Sequence, residues 1–295
     1  MNIKDVAIDA RGVLFEYRTI VQAKIALMLA DVNMTDEAGA GRLPEGMGGL
    51  AKGLAIIEAF LPHRTRMTVS EAAQSSGTSR ASARRCLLTL AELGYLEFDG
   101  KYFRPQPRLL ALSAAYSGPR SLPQLAQPFL KAARDELHES VSLAVLERDV
   151  ALFVARSEAE RLVTTGISLG TRIDLYRSAT GRVLLSAWDE ERLAAYLDRA
   201  RPKAPTKYAL VKKTALREAV LSVRKLGYAT TDQELEIGLR SIAVPVMDSH
   251  GAVVAAMSAS ASSARVSIAQ MVKSFLPVLK ANAVGLGRLV TSAAA

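Results

Sequence analysis

Residues 68–105, TVSEAAQSSGTSRASARRCLLTLAELGYLEFDGKYFRP, constrain the fold more than any other stretch of the chain. TVSE is a capping box. In it the Thr68 hydroxyl accepts the Glu71 amide, while the Glu71 carboxylate reaches back to the Thr68 amide, so a helix begins at Val69. It stops at Gly77, where a missing Cβ permits the left-handed backbone of a tight turn, and Thr78 or Ser79 caps the next helix. Two helices joined by a short glycine turn make a helix-turn-helix. Along residues 79–93, Ala83, Cys86, Leu87, Leu90 and Leu93 recur at spacings of three and four and predict the buried face. Ala81, Arg84, Arg85 and Glu92 fall opposite. Gly94 ends that helix, and YLEFDGKYFRP alternates around an Asp99-Gly100 turn, a hairpin signal that supplies a wing.

Upstream, LAKGLAIIEAF places Leu50, Leu54, Ile57 and Leu61 on one helical face, flanked by Ile56 and Phe60, and Pro62 ends the helix. Residues 33–49 hold five glycines and one proline and read as a connector. The weakly apolar pattern of residues 1–31 has no strong partner, and Met34 is an alternative start for the chain. The expected division is an extension and linker over 1–49, a winged helix-turn-helix over 50–106, a linker helix over 107–121 and a second domain over 122–292.

Several function classes are poorly supplied. The one cysteine, Cys86, rules out an internal disulfide, and His63, His138 and His250 are far apart with no HExxH spacing. No metal and no cofactor are expected. The most apolar window, residues 20–32, is broken by Gln22, Lys24 and Asp31. With no signal-peptide pattern either, the expected location is cytoplasmic and away from membranes. A net charge of +9 favours polyanions. Between residues 50 and 108, nine Lys/Arg face five Asp/Glu.

Small, hydroxyl and cationic residues at the start of a helix suit the major groove, where Arg pairs bidentately with guanine and Ser or Thr binds phosphate. The candidate DNA contacts are Thr68, Thr78, Ser79, Arg80, Ala81, Ser82, Arg84 and Arg85, with Lys101 and Arg104 on the wing. The plainer alternatives are a solvated charged face or a winged helix that binds protein.

GLAIIEAF followed by TVSEAAQSSGTSRASARRCLLTLAELGYLE resembles the N-terminal winged helix of the IclR family of bacterial transcriptional regulators. YRSATGRVLLSAW and GYATTDQELEIGLRSIAVPVMDSHGAVVAAMSAS resemble that family's effector-domain motifs in the same order. DLYRSATGR and DQELEIGLRSIAVPV are most similar to its PcaR, PcaU and PobR group, the protocatechuate and 4-hydroxybenzoate regulators. The resemblance implies an α+β chain: a winged helix-turn-helix followed by a GAF-like effector domain with an antiparallel sheet. It also implies a homodimer, or a pair of dimers, that binds a pseudo-palindromic operator in double-stranded DNA. A small aromatic or dicarboxylic acid would be the effector.

The residues of the second half read compatibly. Residues 107–118 and 123–138 predict helices. SVSLAVLERDVALFVARS predicts a hairpin, and RLVTTGIS a third strand. Helices are expected over 180–188, 190–199 and 214–226, then a second hairpin turning at 248–251 and a closing helix interrupted by Pro277. Two polar, glycine-bearing segments, 166–181 and 229–241, are the expected pocket walls. A buried carboxylate needs a partner, so Arg240 is the first candidate to meet an acid and Arg172 the second. Tyr176, Ser178 and Thr180 supply hydroxyls, Ser258 closes the pocket from the sheet, and Asp232 and Ser241 complete the set. The alternatives are an Arg240–Glu236 surface pair, a core Tyr176 and a helix-capping Thr180. An enzyme built on the second domain is the rival reading, against which stands the lack of any histidine in these loops. A non-specific DNA-coating protein is a third, and it leaves the second domain unused.

Overall fold

The computed structural model describes residues 47–60, 64–114, 116, 118, 121–160 and 167–290. The reading of residues 1–46, the Leu61 and Pro62 helix end, and most of the expected RLVTTGIS strand lie outside them. The chain divides into two compact units after Ala114.

In the first unit, α1 (Gly48–Glu58), α2 (Val69–Ser75) and α3 (Arg80–Glu92) precede a hairpin of β1 (Leu96–Phe98) and β2 (Phe103–Pro105). A 3-10 turn (Pro107–Leu109) and α4 (Leu110–Ala114) follow. Ile56, Met67, Leu87 and Phe103 are fully buried at the centre of its core. Met67 bridges to Phe103 through two backbone hydrogen bonds of 2.8 and 3.0 Å, so the chain ahead of α2 is tied to the wing. Two details depart from the expected pattern. Leu50 and Leu54 are about half exposed at 56% and 47%, whereas Ile56 and Ala59 are buried. Leu93 is also 49% exposed, and Cys86 is only half buried. Periodicity finds a stripe, but the side of the stripe that faces a neighbour is set by how α1 and α3 cross.

The second unit is a six-stranded antiparallel sheet in the order β5-β4-β3-β8-β7-β6. Its strands are β3 (Val141–Glu147), β4 (Val150–Ser157), β5 (Arg172–Asp174), β6 (Ala229–Asp232), β7 (Leu239–Met247) and β8 (Val253–Ser262). Its helices are α5 (Leu122–Leu137), α6 (Ala179–Ser186), α7 (Glu190–Arg199) and α8 (Lys213–Leu226). At the end, α9 (Ile268–Gln270), a π-helical turn (Met271–Phe275) and α10 (Leu276–Leu289) run on without a break. Pro277 does not interrupt this run. It sits in the first turn of α10, where a missing amide is tolerated.

Strand alternation sorts the side chains into two layers. Ile242, Val244 and Val246 of β7 and Ala255, Met257 and Ala259 of β8 pack under α5 and α10, in one core with Leu130 and Leu279. The intervening residues, among them Ser241 of β7 and Ser258 and Ser260 of β8, face the other way, towards α6. The expected loop over 229–241 proves to begin with an edge strand: ATTD pairs with residues 240–243 of β7. Its two threonines and one alanine lack the aliphatic signature of the central strands, which hid it in the sequence. The strand beside β4 is the three-residue β5.

Candidate functional site

The first unit presents a cationic surface on α3. The capping box is formed as drawn from sequence: Thr68 N donates to Glu71 Oε2 at 2.7 Å, and Glu71 N donates to Thr68 Oγ1 at 3.3 Å. The Thr68 amide and hydroxyl, both donating to the Glu71 carboxylate, hold it below its ordinary pKa. Gly77 takes φ +62° in the turn, and the Thr78 amide returns to Ala73 O at 3.0 Å. Ser79 caps α3 by accepting the Ser82 amide at 3.2 Å. Thr68, Thr78, Ser79 and Ser82 are therefore all engaged in local hydrogen bonds, and Ser82 is buried. Arg80, Ala81, Arg84 and Arg85 are exposed, and the three arginines have no ion-pair or hydrogen-bond partner among the described residues.

The wing is stiffened by Asp99, whose carboxylate accepts the Tyr102 and Lys101 amides at 2.7 and 3.0 Å. Those amides lower its pKa. Arg104 pairs with Asp99 at 3.0 Å, so part of its charge is already met, while the Lys101 ammonium lies 5.1 Å from the Tyr102 ring centre. Arg66, absent from the sequence-derived candidates, stacks 4.5 Å above the same ring. Only the Met67–Phe103 bridge brings it there, a contact between segments far apart in sequence.

The second unit contains a recess between the sheet, the start of α6 and the β6–β7 turn. Its polar wall is six hydroxyls, from Ser178, Thr180, Thr231, Ser241, Ser258 and Ser260, and its apolar wall includes Phe153, Ile173, Leu235 and Leu239. As it stands the cavity is ≈ 10 Å³, room for about one water. Ser178 caps α6 through the Gly181 amide at 3.0 Å, and Thr231 and Ser241 share a hydrogen bond of 2.6 Å. The hydroxyls of Thr180 and Ser258 have no protein partner among the described residues, although both residues are buried. With the Ser260 hydroxyl, which also has no protein partner among the described residues, they are the open hydrogen-bonding groups of the site.

Ser178, Thr180, Ser241 and Ser258, all singled out from sequence, come together here. Arg172, Tyr176, Asp232 and Arg240 do not. Arg172 forks onto Glu147 at 2.7 and 3.1 Å on the sheet edge. Tyr176 is buried, with its hydroxyl accepting the Lys203 amide at 3.3 Å, and burial pushes its phenol up. Arg240 grips Asp232 at 2.8 and 3.2 Å and donates to the carbonyls of Ser263 and Val266, both at 2.9 Å. Four of the five guanidinium N–H donors are thus engaged, and the fork lowers the Asp232 pKa. Thr231, Ser260 and Leu235 were not read from sequence. Ser258 and Ser260, two apart among alanines and opposite Ala243 and Ser241 in the strand register, are the signal that was available.

Behind the recess lies a buried ion pair. Arg182 on α6 forks onto Glu234 in the β6–β7 turn, with Nη1 to Oε1 at 2.9 Å, and its Nη groups also reach the carbonyls of Tyr176 and Thr230. Glu234 additionally accepts the Leu210 amide at 3.3 Å. No charged side chain of the described residues lines the recess itself.

A family model described as the IclR helix-turn-helix domain matches residues 49–100, and one described as bacterial transcriptional regulator IclR C-terminal matches residues 115–287. The chain is 41% identical over 239 residues to the Pca regulon regulatory protein of Pseudomonas putida, covering 81% of this chain and 82% of that one. It is 35% identical over 254 residues to the p-hydroxybenzoate hydroxylase transcriptional activator of Acinetobacter baylyi, covering 84% and 94%. Among solved structures, an IclR homolog from Microbacterium hydrocarbonoxydans complexed with 4-hydroxybenzoate aligns with a TM-score of 0.70 at 25% identity, covering 81% of this chain and 97% of that one.

Proposed function

This chain belongs to the IclR family of bacterial transcriptional regulators, and we propose that it senses a small aromatic acid in the recess of its second unit and transmits occupancy to operator binding by its first. The division of labour follows the boundaries 50–106 and 122–292. α3 enters the major groove with Arg80, Ala81, Arg84 and Arg85, the wing reaches phosphates through Lys101 and Arg104, Thr68 caps α2, Ser79 caps α3 through the Ser82 amide, and Thr78 lies in the turn between the two helices. A homodimer, alone or as a pair of dimers, reads related half-sites of a pseudo-palindrome in the cytoplasm.

The observation that carries the effector assignment is the pairing of two hydroxyls without a protein partner among the described residues, on the buried residues Thr180 and Ser258, with the apolar wall of Phe153, Ile173 and Leu235. An aromatic ring fills the apolar side, and hydroxyls donate to its carboxylate or accept from a phenol. A straight dicarboxylate would leave Phe153 and Leu235 against polar atoms, so the aromatic acid is favoured over it. The structure from Microbacterium hydrocarbonoxydans, with its 4-hydroxybenzoate, supports the same choice. Arg240–Asp232 and Arg172–Glu147 brace the strands around the recess, and Tyr176 supports the turn into α6. The effector acts only through a difference in affinity between conformations, and the need to open a nearly closed recess provides that difference.

The test is calorimetric titration of the full-length protein with 4-hydroxybenzoate, protocatechuate and a six-carbon dicarboxylate, coupled to affinity for genomic fragments that the protein itself retains. Saturable binding of an aromatic acid that changes operator affinity is expected. Binding of none of them, or binding with operator affinity unmoved, overturns the reading.

A further inference from the structure

The second unit carries its own positive surface. Between residues 115 and 290 the sequence has 24 Lys/Arg against 17 Asp/Glu, an excess of seven. Six of those cations, Arg199, Arg201, Lys203, Lys207, Lys212 and Lys213, fall within residues 199–213, where no acid occurs. Four of them, Arg201, Lys203, Lys207 and Lys212, lie on the loop between α7 and α8, and Arg199 and Lys213 are the helix residues that bound it. Arg199 is met by Asp149 and Lys213 lies 3.8 Å from Asp198, but Lys207 and Lys212 have no carboxylate partner among the described residues.

Two features set this loop apart from an ordinary solvated run. It is held in shape, because the Thr206 hydroxyl donates to Gln233 O at 2.7 Å, the Lys203 amide donates to Tyr176 and the Leu210 amide donates to Glu234. Lys212 is also badly placed for the unit alone: it is the N-cap of α8, with no acid in the first turn, whereas Lys213 donates to the Asp198 carbonyl at 2.7 Å. Cations at a helix N-terminus oppose the macrodipole. At Lys212 that rule is broken without a carboxylate partner among the described residues, which marks a surface shaped for something else.

We propose that the loop 199–213 is a second contact for the phosphate backbone of double-stranded DNA, separate from the helix-turn-helix. Lys is depleted at the cores of protein–protein interfaces, whereas Lys and Arg make the bulk of phosphate contacts, so a lysine-dominated surface fits a duplex better than a protein partner. The inference rests on the DNA-binding reading above. A duplex gripped by the first unit is tethered to the second, so individually weak ion contacts add to affinity as an intramolecular step. The contact carries no base specificity.

The test uses the full-length protein and the Lys207→Gln/Lys212→Gln double variant, with operator fragments bearing long flanks, over a salt series. Each lost phosphate contact lowers the slope of log K against log salt by about 0.9, so the variant should be shallower by about 1.8. Lys207→Arg/Lys212→Arg should restore the slope, with effector titration unchanged in both variants and thermal stability no lower than in the wild type, since Lys212→Gln removes a cation that opposes the α8 dipole. Equal slopes for variant and wild type overturn the proposal. So does an unchanged slope combined with lost transcription in the presence of RNA polymerase, which would assign the loop to a protein. A wild-type protein that prefers no sequence sinks the specific-regulator reading instead, and the salt slope on any duplex still tests the loop.

Discussion

Arg182 and Glu234, 52 residues apart, form a buried forked ion pair that joins helix α6 to the β6–β7 turn. The side chains are only 4% and 12% exposed. Thr180 stands two residues from one partner and Leu235 beside the other, so the pair holds two walls of the recess at a fixed separation. Through the Leu210 amide, Glu234 also reaches the cationic loop that precedes α8.

Removing either partner leaves a buried charge unmet. Arg182→Met or Glu234→Leu alone should lower the stability of the protein by about 3–5 kcal/mol. The double variant should be less destabilised than either single one, since no orphan charge remains. Urea denaturation of all four proteins measures the coupling, and additive losses would show that the two side chains act independently.

Arg84 and Arg85 are exposed on α3, with no ion-pair or hydrogen-bond partner among the described residues. Arg85→Ala should weaken specific operator binding by about 1–3 kcal/mol and leave effector affinity unchanged. A fluorescence anisotropy titration with a labelled operator checks it. An unmoved operator affinity would displace α3 from the groove.

In the recess, Ser258→Ala removes a hydroxyl that no group of the described residues uses. Aromatic-acid affinity should fall by about 0.5–1.5 kcal/mol, with little change in folding stability, since no described residue loses a partner. Thr180→Val should behave alike. Calorimetry reads both, and a loss of stability in place of affinity would make these residues structural.

Gly181 sits where helix α6 starts against the preceding turn. A Cβ built there would lie 2.1 Å from Leu175 O, a backbone atom that cannot swing aside. Gly181→Ala should therefore destabilise the second unit by more than about 3 kcal/mol, whereas the same change at Gly53, with nothing within 4 Å, should cost nothing and by helix propensity stabilise slightly. Differential scanning calorimetry separates the two cases.

Acid should loosen both units. Glu71 is held down by its capping hydrogen bonds and Asp232 by Arg240, so each has a folded pKa below its unfolded one. Such groups contribute stability that is complete above the unfolded value of about 4 and is lost as pH falls through the lowered folded value. Stability should be flat from neutrality to about pH 5 and fall below about pH 4. Glu71→Gln should flatten the share of that fall owed to the first unit.

How far the sequence carried these conclusions depended on the range of the interaction involved. The capping box, the Gly77 turn, the Ser79 cap and the Asp99-Gly100 hairpin are each contained within a few residues, and each is present where its spacing placed it. Arg240 illustrates the opposite case. Its charge and its polar neighbourhood pointed to a ligand, but which groups surround a guanidinium is decided by strand register: Asp232 is its partner across β6–β7, and two carbonyls beyond β8 engage two more of its donors.

What the sequence determined by itself was the kind of protein: helix signals, turn chemistry and the ordered family motifs act locally, so they are readable one segment at a time. The tertiary structure alone decided which hydroxyls share a cavity, that Arg182 belongs to Glu234, and that α1 buries Ile56 instead of Leu54. The reason is physical. A helix or strand sets the direction of its side chains every 3.6 or 2 residues, but what they meet there depends on the packing of segments tens of residues away.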